Sequence, residues 1–305
     1  MSAKIRADKL KGAGFIDPDT RTAVLEEALP YLRRFRGATV VVKYGGAAMV
    51  DDALADSWAR DVVFLEHVGM RPLVVHGGGP AMTKTMKRMG VETSFVDGHR
   101  VTSADGAEIA EMVLSGRLNK EVVSRINRAG GRAVGLSGTD ARLMRISRHT
   151  PGGKDIGFVG RIDEIDPEPL ELMLEAGYTP VLSSTAADDE GQPFNINADM
   201  VAGAVAAAMN AVKLVFMTDV PGVLLDGRPA SMLSDVEVRR LVDRQEVSGG
   251  MLPKLEAALQ ALDAGVSRVH LVDGRMPRAL LLEFFTDEGV GTLLTREGTG
   301  QGVRP

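Results

Sequence analysis

Apolar residues along this chain arrive in two alternating kinds of run. Short β-branched stretches at Thr39–Lys43, Pro72–Val75, Arg132–Leu136, Pro180–Leu182, Lys213–Thr218 and Arg268–Val272 have the length and composition of buried strands. Between them lie Asp51–His67, Ala81–Met89, Ser103–Ala129, Asp199–Asn210, Val236–Val242 and Lys254–Ala264, where apolar residues recur at helical spacing. Alternation of this kind predicts an α/β fold with three layers: an open, mainly parallel central sheet and helices on both faces. One stretch breaks the rhythm. Arg142–Arg148 and Gly157–Ile165 flank Pro151-Gly152-Gly153 and predict a β-hairpin or a pair of lid strands.

A β-rich interruption between two α/β runs predicts two lobes, 38–210 and 211–305, after an N-terminal extension, 1–37. In that extension Arg21–Phe35 carries Val24, Leu25, Ala28, Leu29, Leu32 and Phe35 on one helical face, with a kink predicted at Pro30. Such a face docks on another subunit or packs back on its own domain. The polar, Gly-rich ends, 1–19 and 297–305, have no apolar periodicity and take no assignment.

Composition narrows the classes. Of the 305 residues, 44% are hydrophobic and 25% charged, enough to bury a sizeable core. The net charge of −5, with no basic stretch interleaved with aromatics, gives no footprint for nucleic acid. The chain has no cysteine, which removes disulfides, thiolate zinc sites and Cys nucleophiles and suits a reducing compartment. The longest apolar run, 200–212, is interrupted by Gly203 and Asn210 and falls short of the about 20 residues of a membrane span, so it predicts a buried helix. No signal-like apolar segment follows the early charges, and a cytoplasmic protein is expected.

Four segments carry candidate chemistry. Val40-Val41-Val42-Lys43-Tyr44-Gly45-Gly46 runs a strand into a lysine and a glycine pair, whose amides can approach an anion closely; an ordinary turn explains the glycines equally well. Leu73-Val74-Val75-His76-Gly77-Gly78-Gly79-Pro80 repeats the design ahead of a helix, where free amides and the helix dipole both favour an anion. Parallel strands put both loops on one sheet edge, facing one crevice. His76 is expected to be a structural residue bonded near its loop. Phe194-Asn195-Ile196-Asn197-Ala198-Asp199 puts polar side chains at alternate positions before a helix, and helix capping by Asn197 or Asp199 is the plainer explanation. Ser248-Gly249-Gly250-Met251-Leu252-Pro253-Lys254 places a lysine in a first helical turn, where the dipole opposes it.

No P-loop, no strand-linked G-x-G-x-x-G, no H-E-x-x-H among the five histidines and no nucleophile elbow at Ser137 occurs. Those absences disfavour P-loop kinases, dinucleotide dehydrogenases, metallopeptidases and serine hydrolases.

Taken in order, K-Y-G-G at 43–46, H-G-G-G-P at 76–80, G-x-R-V-T at 98–102, N-I-N-A-D at 195–199, T-D-V-P-G-V at 218–223 and G-G-M-x-P-K at 249–254 resemble the amino acid kinase family. Within it, the chain is similar to the arginine-sensitive members that phosphorylate N-acetyl-L-glutamate, from about Tyr31 to Thr295. The resemblance implies an ATP- and Mg²⁺-dependent phosphotransferase with a carboxyl acceptor, acting in arginine biosynthesis. It implies catalytic Lys43, Lys254 and Asp199, with Asp199 holding both ammonium groups, and phosphate-binding amides at Gly45, Gly46 and Gly78. It further implies Arg100, Asn195, Gly78 and Gly79 on the acid, and Thr218, Asp219, Gly222, Gly250 and Met251 on the nucleotide. No protein-held metal is implied, since Mg²⁺ would ride on the phosphates. His99 departs from the Leu or Met common at its place.

The N-terminal helix and the segment from Glu283 to Thr292 resemble the regulatory features of members inhibited by L-arginine. By that resemblance Tyr31, Lys213, Glu283 and Gly289 line an arginine pocket, and the helix interlaces a homo-oligomer, a dimer or a hexamer. Two alternatives stand beside this expectation: a sister kinase acting on another acid, such as N-acetylaminoadipate or aspartate, and a non-catalytic arginine sensor on the same fold.

Overall fold

The computed structural model describes residues 17–49, 51–96, 99–247, 249–286 and 289–298, with residues 47, 48 and 99 described by their backbone alone. Helix α1 (Pro18–Phe35) starts where Asp17 caps it, accepting from the Thr20 N–H at 2.9 Å, with Pro18 at a position that needs no amide donor. Strand β1 (Thr39–Tyr44) follows, then α2 (Asp52–His67), β2 (Arg71–His76) and α3 (Gly79–Arg88). A short antiparallel pair, β3 (Ser94–Val96) and β4 (His99–Val101), precedes one long helical run. That run comprises α4 (Ala104–Ala110), a π-helical segment (Glu111–Leu118) and α5 (Asn119–Arg128).

Next come β5 (Ala133–Leu136), β6 (Met144–Arg148), β7 (Val159–Ile165), α6 (Glu168–Glu175), β8 (Thr179–Ser183), β9 (Thr185–Ala187) and β10 (Pro193–Ile196). Helix α7 (Ala198–Ala208) leads to β11 (Lys213–Thr218), the short β12 (Leu224–Leu225), β13 (Arg228–Pro229) and β14 (Met232–Ser234), and α8 (Asp235–Asp243). The chain closes with α9 (Met251–Asp263), β15 (Val269–Asp273), α10 (Ala279–Phe285) and β16 (Gly291–Thr295).

Eight strands form one sheet in the order β14-β16-β15-β11-β1-β2-β8-β5. The six from β15 to β5 run parallel, and β16 lies antiparallel against β15. Alternate residues of the central strands divide between two cores. Val41, Leu73, Val75, Leu214, Phe216 and Leu271 pack with α6, α7, α8 and α9, while Val40, Val42, Val74, Val215, Met217 and Val272 pack with α1, α2, α5 and α10. Both faces are covered, which is why these strands read as unbroken apolar runs. The mainly parallel three-layer sheet is thus as the alternation predicts. Gly203 lets α7 and α9 approach closely, for a Cβ there would sit 2.9 Å from the Ala257 carbonyl oxygen.

Several details differ from the sequence pattern. The predicted hairpin is present as β6 and β7, but it belongs to a four-stranded sheet, β6-β7-β10-β9, whose last two strands are too short to announce themselves. The extended alternation from Asn195 stops at Ile196. Asn197 is the N-cap of α7, accepting from the Asp199 N–H at 2.8 Å, so the plainer capping explanation holds and Asp199 projects from the first helical turn. The single helix predicted over Ser103–Ala129 contains the π segment, and α1 keeps Pro30 inside one continuous element. Of the predicted α1 face, Phe35 packs edge-on to Phe284 at 5.8 Å, whereas Val24 and Leu25 are 58% and 72% exposed. No helix among the described residues is long and apolar enough to cross a membrane.

Candidate active site

Strands β1 and β2 end side by side, with Tyr44 in register with His76, and each continues into a glycine loop. Parallel pairing therefore brings the two loops to one edge of the sheet. A cavity of ≈ 270 Å³ opens there, lined by Lys43, Gly45, Gly46, Gly78, Gly79, Arg100, Asn195 and Asp199, together with Phe95, Leu114 and Ser184. Two of the glycines are tightly surrounded. Gly46 sits at φ +68°, and a Cβ on it would lie 2.1 Å from the Asp219 carboxylate. A Cβ on Gly78 would lie 2.3 Å from Leu118 and 2.6 Å from Leu114, so the loop rests directly on the π segment.

Asp199 forms the electrostatic centre. It is 5% exposed and stands between two cations, with Lys43 Nζ 3.0 Å from Oδ1 and Lys254 Nζ donating to Oδ2 at 2.9 Å. Burial would raise its carboxyl, but Lys43 and Lys254 outweigh burial and hold it below the ordinary carboxylate range. Burial pulls the Lys43 ammonium down against the attraction of Asp199. The start of α7 adds a favourable dipole to the carboxylate, and Asp199 offsets the unfavourable dipole that Lys254 meets in the first turn of α9. Two lysines bracket Asp199 beside two amide-lined loops, with the Asp219 carboxylate against Gly46, and their N–H donors together with the loop amides suit a multiply charged oxyanion.

Arg100 lines the same cavity. Its Nη2 donates to Thr83 Oγ1 at 2.8 Å and to the Gly79 carbonyl at 3.3 Å, and its guanidinium stacks 4.7 Å from the Phe95 ring centroid. These contacts fix the plane of a fork that matches a carboxylate. Asn195, near the end of β10, also lines the cavity.

A profile of the amino acid kinase family matches residues 38–273. This chain belongs to the amino acid kinase family. A relative from Synechococcus elongatus, named acetylglutamate kinase, is 52% identical over 289 residues, 93% of this chain and 95% of the relative. Among solved structures, N-acetylglutamate synthase of Neisseria gonorrhoeae with coenzyme A and N-acetyl-glutamate aligns with a TM-score of 0.82 at 25% identity. That match covers 91% of this chain and 64% of the synthase. The same synthase with coenzyme A and L-arginine aligns at a TM-score of 0.79 and 26% identity, covering 90% of this chain and 65% of that one.

The remaining candidate residues of this amino acid kinase fall in three places. Thr218 ends β11 and Asp219 follows it, and the Thr218 hydroxyl donates to the Val220 carbonyl at 2.6 Å, which shapes the turn. Gly222, at φ +143°, closes against Thr292, whose Oγ1 would lie 2.4 Å from a Cβ there. Gly250 and Met251 form the start of α9, one turn from Lys254. Ser248, Gly98, Asp287 and Glu288, which belong to the sequence motifs, and the His99 side chain lie outside what the structure describes.

A second buried charge cluster lies between α1, β11, β15 and α10. Lys213 Nζ donates to Glu283 Oε1 at 3.1 Å and to the Glu283 carbonyl at 2.8 Å, and it sits 4.4 Å above the Phe284 ring. Tyr31 belongs to the same apolar cluster as Phe35 and Phe284, and Glu283 Oε2 accepts from the Val290 N–H, beside Gly289, at 3.2 Å. The sequence motifs did not single out His270, although its Nδ1 contacts Glu283 Oε1 here. The available signal was its inward position among the valines and leucine of β15. Burial would raise the Glu283 carboxyl, yet its bond to His270 and the neighbouring Lys213 hold it down at about 2.

His76 and His270 are both buried, and burial pushes each ring down to about 4. In the unfolded chain both titrate near 6.5. A histidine with a depressed folded pKa contributes its full stability above the unfolded value and loses it as pH falls. The free energy of unfolding should therefore decline between about pH 6.5 and 4, by about 1.4 kcal/mol per pH unit for each histidine. Urea unfolding at stepped pH checks this; a flat profile over that window would mean that the two rings protonate in the fold.

Proposed function

We propose that this kinase uses ATP to phosphorylate the side-chain carboxylate of N-acetyl-L-glutamate, giving N-acetyl-L-glutamyl 5-phosphate for arginine biosynthesis in the cytoplasm. The observation that carries the reading is the Lys43–Asp199–Lys254 bridge at the mouth of two glycine loops. It occurs in a chain 52% identical to a relative named acetylglutamate kinase. In this reading residues 38–210 receive the acid and residues 211–305 the nucleotide.

A carboxylate is already an ionised nucleophile, so the enzyme supplies alignment and charge stabilisation without a general base. Arg100 takes the α-carboxylate, and Asn195 with the Gly78 and Gly79 amides takes the rest of the acid. Amides at Gly45, Gly46 and Gly78 face the transferring phosphoryl oxygens. Lys43 and Lys254 neutralise charge on that group as the old bond lengthens, and Asp199 holds both ammonium groups in place without moving a proton. Thr218, Asp219, Gly222, Gly250 and Met251 hold the nucleotide. No group of three or more His, Asp or Glu side chains able to hold a metal occurs among the described residues. In this reading Mg²⁺ would be carried by the ATP phosphates and would supply charge neutralisation there.

Inhibition by L-arginine forms part of the same proposal, with Tyr31, Lys213, Glu283 and Gly289 as its pocket. Three observations support it: the buried Lys213–Glu283 pair, the apolar α1 face left exposed, and the L-arginine complex of the structurally similar synthase. The exposed face suits a homo-oligomer, a dimer or a hexamer. A non-catalytic sensor would have no use for both lysines and Asp199.

Comparison of kcat/KM for N-acetyl-L-glutamate, N-acetylaminoadipate, aspartate and glutamate, with and without millimolar L-arginine, tests these assignments. N-acetyl-L-glutamate should lead and arginine should suppress it. A higher value for another acid would reassign the substrate, and indifference to arginine would remove the regulatory pocket.

A further inference from the structure

Of the buried polar groups that the proposed chemistry leaves without a role, His76 is the one joined directly to a reacting loop. It is 0% exposed at the end of β2, and its Nδ1 lies 2.9 Å from the carbonyl oxygen of Gly77. On its far side Nε2 lies 3.2 Å from Asn119 Nδ2, at the start of α5. The Asn119 amide is oriented by its own partners: Nδ2 donates to the Val181 carbonyl at 2.9 Å, with the Leu136 carbonyl farther off at 3.4 Å, and Oδ1 accepts from Lys120 Nζ at 3.0 Å. The atom facing Nε2 is therefore an N–H donor, so Nε2 carries the lone pair and Nδ1 the proton. The proton on Nδ1 is donated to the Gly77 oxygen. The tautomer follows from the surrounding heavy atoms.

The consequence lies one bond further on. The Gly77 N–H is tied to the Tyr44 carbonyl at 3.2 Å, and its own carbonyl is tied to His76, so Gly77 is held at both ends. A trans peptide is planar, with C=O and N–H pointing in opposite directions. A Gly77 carbonyl drawn toward the buried imidazole turns the Gly78 N–H away from it, toward the cavity that Gly78 lines. The π segment supports the loop from the same side, since Leu114 and Leu118 abut Gly78 and Ser115 Oγ bonds Ser183 Oγ at 2.8 Å. A π-helical register often marks a functional position within a helix.

We infer that His76, held in its Nδ1–H tautomer by Asn119, is a positioning residue that aims the Gly78 amide at the transferring phosphoryl group. The inference rests on the proposed kinase reading and deepens it. His76 touches no substrate and transfers no proton. Its neutral ring serves as a fixed donor that sets one peptide plane.

Two substitutions separate aiming from filling space. His76→Asn keeps an amide N–H near the position of Nδ1 and should retain kcat within about fivefold. His76→Gln carries its amide to the Nε2 end, leaves the Gly77 oxygen without that donor, and should lower kcat by about 10- to 100-fold, below the loss of a whole oriented donor. KM for both substrates should stay within about threefold in either variant, and their melting temperatures should be similar. Equal activity in the two variants, whether both high or both low, overturns the positioning role. Wild-type protein that makes no acyl phosphate from N-acetyl-L-glutamate overturns the kinase reading itself, and this inference with it. Should the variants fail to fold, ¹⁵N-histidine NMR of the wild-type protein decides: a neutral ring protonated at Nδ1 supports the inference, and an Nε2–H or doubly protonated ring at neutral pH overturns it.

Discussion

Lys43→Ala and Lys254→Ala should each lower kcat by about two to three orders of magnitude, the scale of losing one preorganised donor to the transition state. Both variants should remain folded, because Asp199 keeps one cation in each: at 2.9 Å from Lys254 in the first, at 3.0 Å from Lys43 in the second. The double variant behaves differently in two ways. Its kcat should fall by less than the product of the single losses, since both lysines act on one phosphoryl group. Its stability should drop by about 3–5 kcal/mol, because a buried carboxylate is left without a counterion. Steady-state kinetics beside urea unfolding check both halves. Near-normal turnover in either single variant would contradict the roles assigned.

Glu283→Ala should destabilise the fold by about 3–5 kcal/mol, the largest stability effect expected of any one substitution here. The reason is what remains. Lys213 is 3% exposed, sits between Phe35 and Phe284, and among the described residues would retain only the Glu283 backbone carbonyl as its oxygen partner. His270 would lose its acceptor at the same time. Replacing both partners, as in Lys213→Met with Glu283→Leu, removes the stranded charge and should recover most of the loss, since apolar replacement of a buried pair is often neutral or stabilising. Urea unfolding of the two variants is the check. A double variant no more stable than Glu283→Ala would show that packing, not charge burial, sets the cost.

The fold was legible because its central strands bury both faces. The residues of β1, β2 and β11 are apolar almost throughout, and their ends fell within a residue of the apolar runs. The peripheral sheet was harder to see, for β9 and β10 span three and four residues and carry no long period. The π segment was invisible because α and π registers share the same apolar residues over so short a stretch, and only hydrogen bonding distinguishes them.

The crevice was partly legible for a related reason. Glycine loops after parallel strands must share an edge, so Lys43, Gly45, Gly46 and Gly78 could be grouped from topology alone. Pattern and spacing alone could not supply the partner of Lys254, which only the family resemblance implied. Asp199 lies 55 positions away in sequence and reaches Lys254 only because α7 and α9 pack together at Gly203. The local alternation that appeared to carry Asn195 to Asp199 was a coincidence of a strand end and a capped helix start. His270 escaped notice because a lone histidine in an apolar strand looks the same whether it has a carboxylate partner or not.

The most direct measurement is formation of acyl phosphate by the wild-type protein, trapped with hydroxylamine, from N-acetyl-L-glutamate, ATP and Mg²⁺. The account predicts hydroxamate that requires all three and is lost in Lys43→Ala. Absence of hydroxamate from the wild-type protein, or an undiminished yield from Lys43→Ala, would contradict it.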